Sequence, residues 1–226
     1  MRKEELLERF EALGAESDFL AAKPLYEQAL ANAPDARLLN DYGYLLECHG
    51  RRELRRAVDL YEQAIELDSD YDKPHYQLIS AQAGLLQPEV PVALYEQRLA
   101  ASPDELREHR FLATAYLHAH AFERALGAVE AGLKLAPDDA ALVAIRGEAK
   151  AGLGDAEAAL ADWRRALELD SEEIGALYSS AFLLEREGRL EEAIEAWCAI
   201  IEWNEARGNT LQTVWPRQEL ERLRAA

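Results

Sequence analysis

Five histidines and two cysteines are the residues here that could hold a metal or attack a substrate. His118 and His120 lie two apart, so on a helix they point to different faces and cannot chelate one ion well. His120 falls at a turn position and His109 at a packing position of its helix. Cys48 and Cys198 are separated by most of the chain and read as small buried hydrophobes rather than a disulfide. No His-Glu-x-x-His, paired-cysteine spacing or Gly-rich phosphate loop occurs. The 43 Asp and Glu residues are spread so evenly that no pair stands out as an acid/base couple. The expectation is a chain with no catalytic residue, no metal site and no cofactor.

A more distinctive group is Arg51, Arg52, Arg55 and Arg56, which crowds four cations around a helix start where the dipole disfavours them. It reads as a solvated turn whose charge is compensated by Glu53 and other acids. The alternative is a docking point for a phosphate or an acidic partner.

The elements that would position such groups follow from an internal repeat. Tyr-Glu-Gln recurs at Tyr26, Tyr61 and Tyr95, and further steps of 34 reach Val129, Trp163 and Trp197. A period of this size marks one supersecondary unit copied along the chain. Four residues before the bulky position stands Ala57, Ala125, Ala159 or Ala193, with Pro91 as the exception. Small and then aliphatic residues follow it, as in Ala64-Ile65 and Ala166-Leu167. An upstream apolar stripe, such as Leu39, Tyr42 and Leu46, has the same helical spacing. Gly50, Gly154 and Gly188 fall between the stripes, where one helix must end. Each copy therefore reads as a helix hairpin, and no hairpin can bury its stripe without neighbours.

This pattern resembles the tetratricopeptide repeat. It is carried by Leu39, Tyr42, Gly43, Leu46, Gly50, Ala57, Tyr61 and Ala64 in one copy. Gly147, Gly154, Ala159, Trp163, Ala166 and Leu167 carry it in another. Six copies, starting near residues 3, 36, 72, 106, 140 and 174, cover residues 1–226 as one domain, with a capping helix at about 208–224 opened by Pro216. The resemblance implies an all-α, right-handed superhelical solenoid of antiparallel helix pairs, with a concave groove lined by the first helix of each pair. Three departures predict local irregularity. Pro24 should kink or delay a helix, two extra residues separate Gly50 from Ala57, and Pro88 and Pro91 move a helix start to Val90.

By the same resemblance, the groove-facing positions of the first helices are Arg37, Asn40, Asp41 and Tyr44, then Lys73, Tyr76, Gln77 and Ser80, then Arg107, Arg110, Phe111 and Thr114. A cation recurs on one rung as Arg37, Lys73 and Arg107, among amides and aromatics that suit an extended peptide. The expected partner is a protein or peptide, met through an acidic or C-terminal carboxylate-bearing segment. On the other reading, these groups merely balance neighbouring acids. The last two copies supply Ala144, Ile145, Tyr178 and Phe182, a more apolar end.

A net charge of −18 repels nucleic acid and anionic membranes at long range. The acids, among them Asp162, read as a solvated outer face. No signal sequence or run of about 18 apolar residues is present, and the composition suits a bacterial cytoplasm. The functional expectation is a non-catalytic scaffold. A dedicated accessory subunit for an enzyme or secretion client, or a receptor for a small ligand or signalling peptide, would use the same surface. Trp203 and Trp215 leave self-association open.

Overall fold

The computed structural model describes residues 19–32, 34–48 and 51–225. Two compact units divide the chain after Gln97. The first holds α1 (Phe19–Asn32), α2 (Ala36–Cys48), α3 (Arg51–Leu67), α4 (Asp72–Gly84) and most of α5 (Glu89–Ala101). The second holds α6 (Leu106–His118), α7 (Phe122–Leu135), α8 (Ala140–Gly152), α9 (Ala156–Leu169), α10 (Ile174–Arg186) and α11 (Leu190–Ala206). A 3-10 turn (Thr210–Thr213) then leads into α12 (Val214–Arg224). Among the described residues there is no strand.

Asp and Gly set several of the boundaries. Asp35 Oδ1 accepts the amides of Arg37 and Leu38, both at 3.0 Å. Asp139 accepts from Leu142 at 2.9 Å and Asp155 from Ala158 at 3.2 Å. These caps satisfy amides that the first helical turn leaves without partners. α1 runs through Pro24; α5 starts at Glu89, with Pro91 buried in its first turn. Pro216 sits in the first turn of α12, where its missing amide proton costs nothing.

The corner between the two helices of a hairpin needs one left-handed residue. It falls at Leu86, His120, Gly154 and Gly188, a spacing of 34, with φ of 62°, 54°, 86° and 73°. Gly50 lies outside the described residues. Glycine takes this conformation freely, whereas a Cβ costs about 1–2 kcal/mol, partly offset by the entropy that glycine adds to the unfolded chain. Leu86 is 74% exposed and gains little from packing. Leu86→Gly should therefore raise stability by about 0.5–1 kcal/mol, read as a higher urea midpoint at unchanged slope. A lower midpoint would contradict this account of the corner.

The 34-residue period reappears as the core. Tyr61, Tyr95, Val129 and Trp197 are fully buried, with Tyr26 and Trp163 nearly so. Glycine lets two of these rings come close. A Cβ on Gly43 would lie 2.5 Å from Tyr61 Cε1, and one on Gly147 would lie 2.6 Å from Trp163 Nε1. The backbone of one helix thus lies against an aromatic ring of its partner. His75 and His109 are also period-related, and each Nε2 meets the carbonyl six residues earlier, Ser69 at 3.3 Å and Pro103 at 2.9 Å.

In the second unit α6 packs on α8, and α8 on α10, as well as each on its own hairpin partner. Among the described residues the second helices α7, α9 and α11 make no such contact with one another. The layer of first helices is therefore the tighter, inner one. In the first unit α2 and α4 touch in the same way.

Candidate functional site

The inner face of the first unit is laid down by α2 and α4. Arg37 and Lys73 are exposed and have no ion-pair partner among the described residues. Tyr44 is 55% exposed, while Tyr76, Gln77 and Ser80 are partly buried. Asn40 is fully buried and its Nδ2 donates to Asp41 Oδ1 at 3.3 Å, so its amide meets no solvent. The Gln77 Oε1 is buried without a hydrogen bond among the described residues. Burial, and then the nearby Asp41 carboxylate, push the Tyr71 hydroxyl above its ordinary pKa.

The arginine group beside this face has a different counter-ion from the one its spacing suggests. Arg56 pairs with Glu27 at 2.9 Å and lies 5.3 Å over the Tyr42 ring, whose hydroxyl donates to Glu27 at 2.8 Å. Glu53 instead meets Lys23 at 3.7 Å. Arg55 is exposed. The side chains of Arg51 and Arg52 lie outside the described residues.

In the second unit, the Arg107 guanidinium lies 5.6 Å over the ring of Phe111, which is fully buried rather than facing solvent. Arg110 grips Asp139 with both arms of its fork, Nε to Oδ1 at 3.1 Å. Thr114 Oγ1 donates to the Arg110 carbonyl at 2.9 Å. Of this group, then, Arg110 is already committed. Asp162, expected on a solvated face, is 6% exposed and sits between Arg146 and Lys150, whose contacts are 2.7 and 2.6 Å. Such pairing joins residues of two helices and leaves no mark in the period itself.

The apolar end is present on α10, but polar groups interrupt it. Ser179 donates to Glu148 on α8, and Glu173 stands just before the helix beside Gly175. Glu148 is not among the groove residues named from the sequence above. The rung rule that selects Tyr44, Ser80 and Thr114 would have found it at the ninth position of α8. Trp203 is engaged, its Nε1 donating to the Ser171 carbonyl at 2.8 Å under the guanidinium of Arg207.

Among the described residues no three His, Cys, Asp or Glu side chains converge as a metal site, and no helix is long and apolar enough to cross a membrane. Residues 146–207, which span α9, α10 and α11, match the family model described as Tetratricopeptide repeat. The hairpins before them keep the same 34-residue spacing of buried bulky residues. Over residues 146–207 the chain is a tetratricopeptide repeat. Proteins with this repeat generally mediate protein–protein interaction, and no catalytic family is indicated. A solved thermophilic tetratricopeptide repeat protein of Thermus thermophilus is similar in fold at a TM-score of 0.64 and 21% identity, over 84% of this chain and 100% of that one. Another, from Parabacteroides merdae, is similar at 0.52 and 13%, over 97% and 92%. No curated protein matches the sequence.

Proposed function

We propose that this protein is a non-catalytic interaction scaffold whose α2/α4 face takes an acidic or carboxylate-bearing segment of a partner protein. The observation that carries the reading is the pair Arg37 and Lys73. They are exposed cations on the same rung of adjacent first helices, without ion pairs among the described residues, in a chain of net charge −18. Surplus acid elsewhere makes exposed, unneutralised cations at matched positions a poor fit to simple charge balance. Tyr44 offers an exposed ring beside them. Asn40, being buried, would hold Asp41 rather than touch the segment. Arg107, Arg110 and Thr114 remain candidates on the second unit, but Arg110 would first have to leave Asp139.

Arg37→Glu combined with Lys73→Glu should weaken binding of a fluorescein-labelled acidic peptide by about tenfold or more, with a reduced salt dependence. Arg164→Glu combined with Arg165→Glu, both exposed on α9, makes the same change in net charge and is the control for bulk charge. Unchanged affinity in the Arg37 and Lys73 variant, or equal loss in the control, removes the reading.

A further inference from the structure

The inner face of the second unit ends on an aromatic stripe. Tyr178 stacks on Trp215 with ring centres 6.0 Å apart and planes 15° apart. Phe182 lies 5.8 Å from Trp215, and Trp197 meets Trp215 and Phe182 edge-on at 5.1 and 5.4 Å. Trp197 is fully buried and anchored through Nε1 to Glu185 at 2.7 Å, so it holds the other rings from beneath. Phe182 and Trp215 remain 49% and 43% exposed, with Val214 beside them at 52%. Ring faces fixed in this way are presented to solvent at little further entropic cost.

Two carboxyl groups flank the stripe. Glu148 is held by Ser179, one helical turn from Phe182, and Glu173 lies at the opposite end beside Gly175. Elsewhere in this unit the partly or fully buried carboxylates each hold an arginine: Glu108 has Arg98, Asp139 has Arg110, Asp162 has Arg146, and Glu185 and Glu219 share Arg222. Glu148 and Glu173 hold no cation among the described residues. Burial raises the carboxyl pKa of both, opposed at Glu148 by the Ser179 bond; at Glu173, Asp170 and Asp139 add to the rise and Arg110 offsets part of it. Several cations of this unit are already paired. Arg110 and Arg222 are paired as above, and Arg186, one turn beyond Phe182, turns to Glu187 at 3.4 Å.

We propose that this face receives an arginine-bearing basic segment of another protein, with guanidinium groups laid on Phe182 and Trp215 and paired to Glu148 and Glu173. Arginine fits better than an apolar anchor, which would press two carboxylates against hydrocarbon without a counter-charge. It also fits better than lysine, because one planar group both stacks on a ring and forks onto a carboxylate. From Glu173 to Phe182 is about 14 Å along the helix, a length that four or five extended residues cover. This site uses acids on the second unit, so it stands or falls separately from the cationic face of the first.

The test is fluorescence anisotropy with a labelled nonapeptide alternating arginine and serine, beside the same peptide with citrulline for arginine. Citrulline keeps the shape and removes the charge. Wild-type protein should bind the arginine peptide, and Glu148→Gln with Glu173→Gln should weaken it about tenfold or more. Glu191→Gln with Glu202→Gln, exposed residues of α11, makes the same change in net charge and should leave affinity within about twofold. Melting curves of the two variants should match the wild type, because the amide keeps the shape of the carboxyl and neither Glu148 nor Glu173 holds a cation among the described residues. Equal weakening in both double variants would mean bulk attraction and overturn the site. Equal affinity for the citrulline peptide, or for a leucine–serine peptide, would overturn it in favour of apolar docking.

Discussion

Trp163→Ala is expected to remove about 3–5 kcal/mol of stability, enough to leave the second unit marginal at room temperature. The ring is 1% exposed and lies on the backbone of Gly147, with its Nε1 donating to the Ala144 carbonyl at 3.1 Å. Truncation leaves a cavity lined by helices from two hairpins, which cannot close without moving both. Circular dichroism during urea unfolding measures the loss. The same contact predicts a coupled effect. Gly147→Ala alone should cost about 1–3 kcal/mol, because its new methyl would meet the indole well inside contact distance. In the Trp163→Ala background that penalty should largely vanish, since the space is then empty. Additive losses would mean that the close approach is not what keeps this position small.

Removing the Asp162 carboxylate should cost about 2 kcal/mol at pH 7, because Arg146 and Lys150 lose their shared counter-ion while staying about one-third exposed. Burial works against the charged carboxylate, but hydrogen bonds from Arg146 and Lys150 outweigh it and hold the pKa below the usual aspartate value of 3.8. A carboxyl with a lowered folded pKa binds its proton more weakly in the native state. Its stabilisation is therefore full above the unfolded pKa and fades as pH falls through the folded one. Urea midpoints of wild type and Asp162→Asn should thus differ at pH 7, begin to converge as pH falls past about 3.8, and meet only below the lowered folded-state pKa. A gap that persists unchanged in acid would assign the effect to packing rather than to the ion pair.

What the sequence made legible is the part of the structure that repeats. A bulky residue every 34 positions found the buried side chains from Tyr26 to Trp197, because each hairpin imposes the same packing problem and solves it at the same place. Glycine at positions 154 and 188 marked the corners for the same reason. His120 reads as a turn position, but Leu86 is harder to read as a corner, since a side chain that tolerates strain poorly stands there and only its spacing gives it away. The candidate sites were less legible, because they depend on which charge meets which. Arg110 on the groove rung looks identical in sequence whether it faces a partner or folds onto Asp139. Asn40 and Phe111 share the rung positions of partly exposed residues yet are buried, since small rotations of a helix decide which side of a rung meets solvent. Glu148 and Glu173 stand out only by comparison with carboxylates that have arginines, and that comparison requires coordinates.

Where the second unit's first helices touch and its second helices do not, the stack is joined along one margin and loose along the other. Such a body is anisotropic in its mechanics. Splaying the loose margin separates few groups, whereas shearing the joined one must drag interlocked side chains past one another. A guest lying along the joined margin would bridge successive hairpins and act as a splint. Bending would then be damped by occupancy alone, with no hinge residue and no second stable form required.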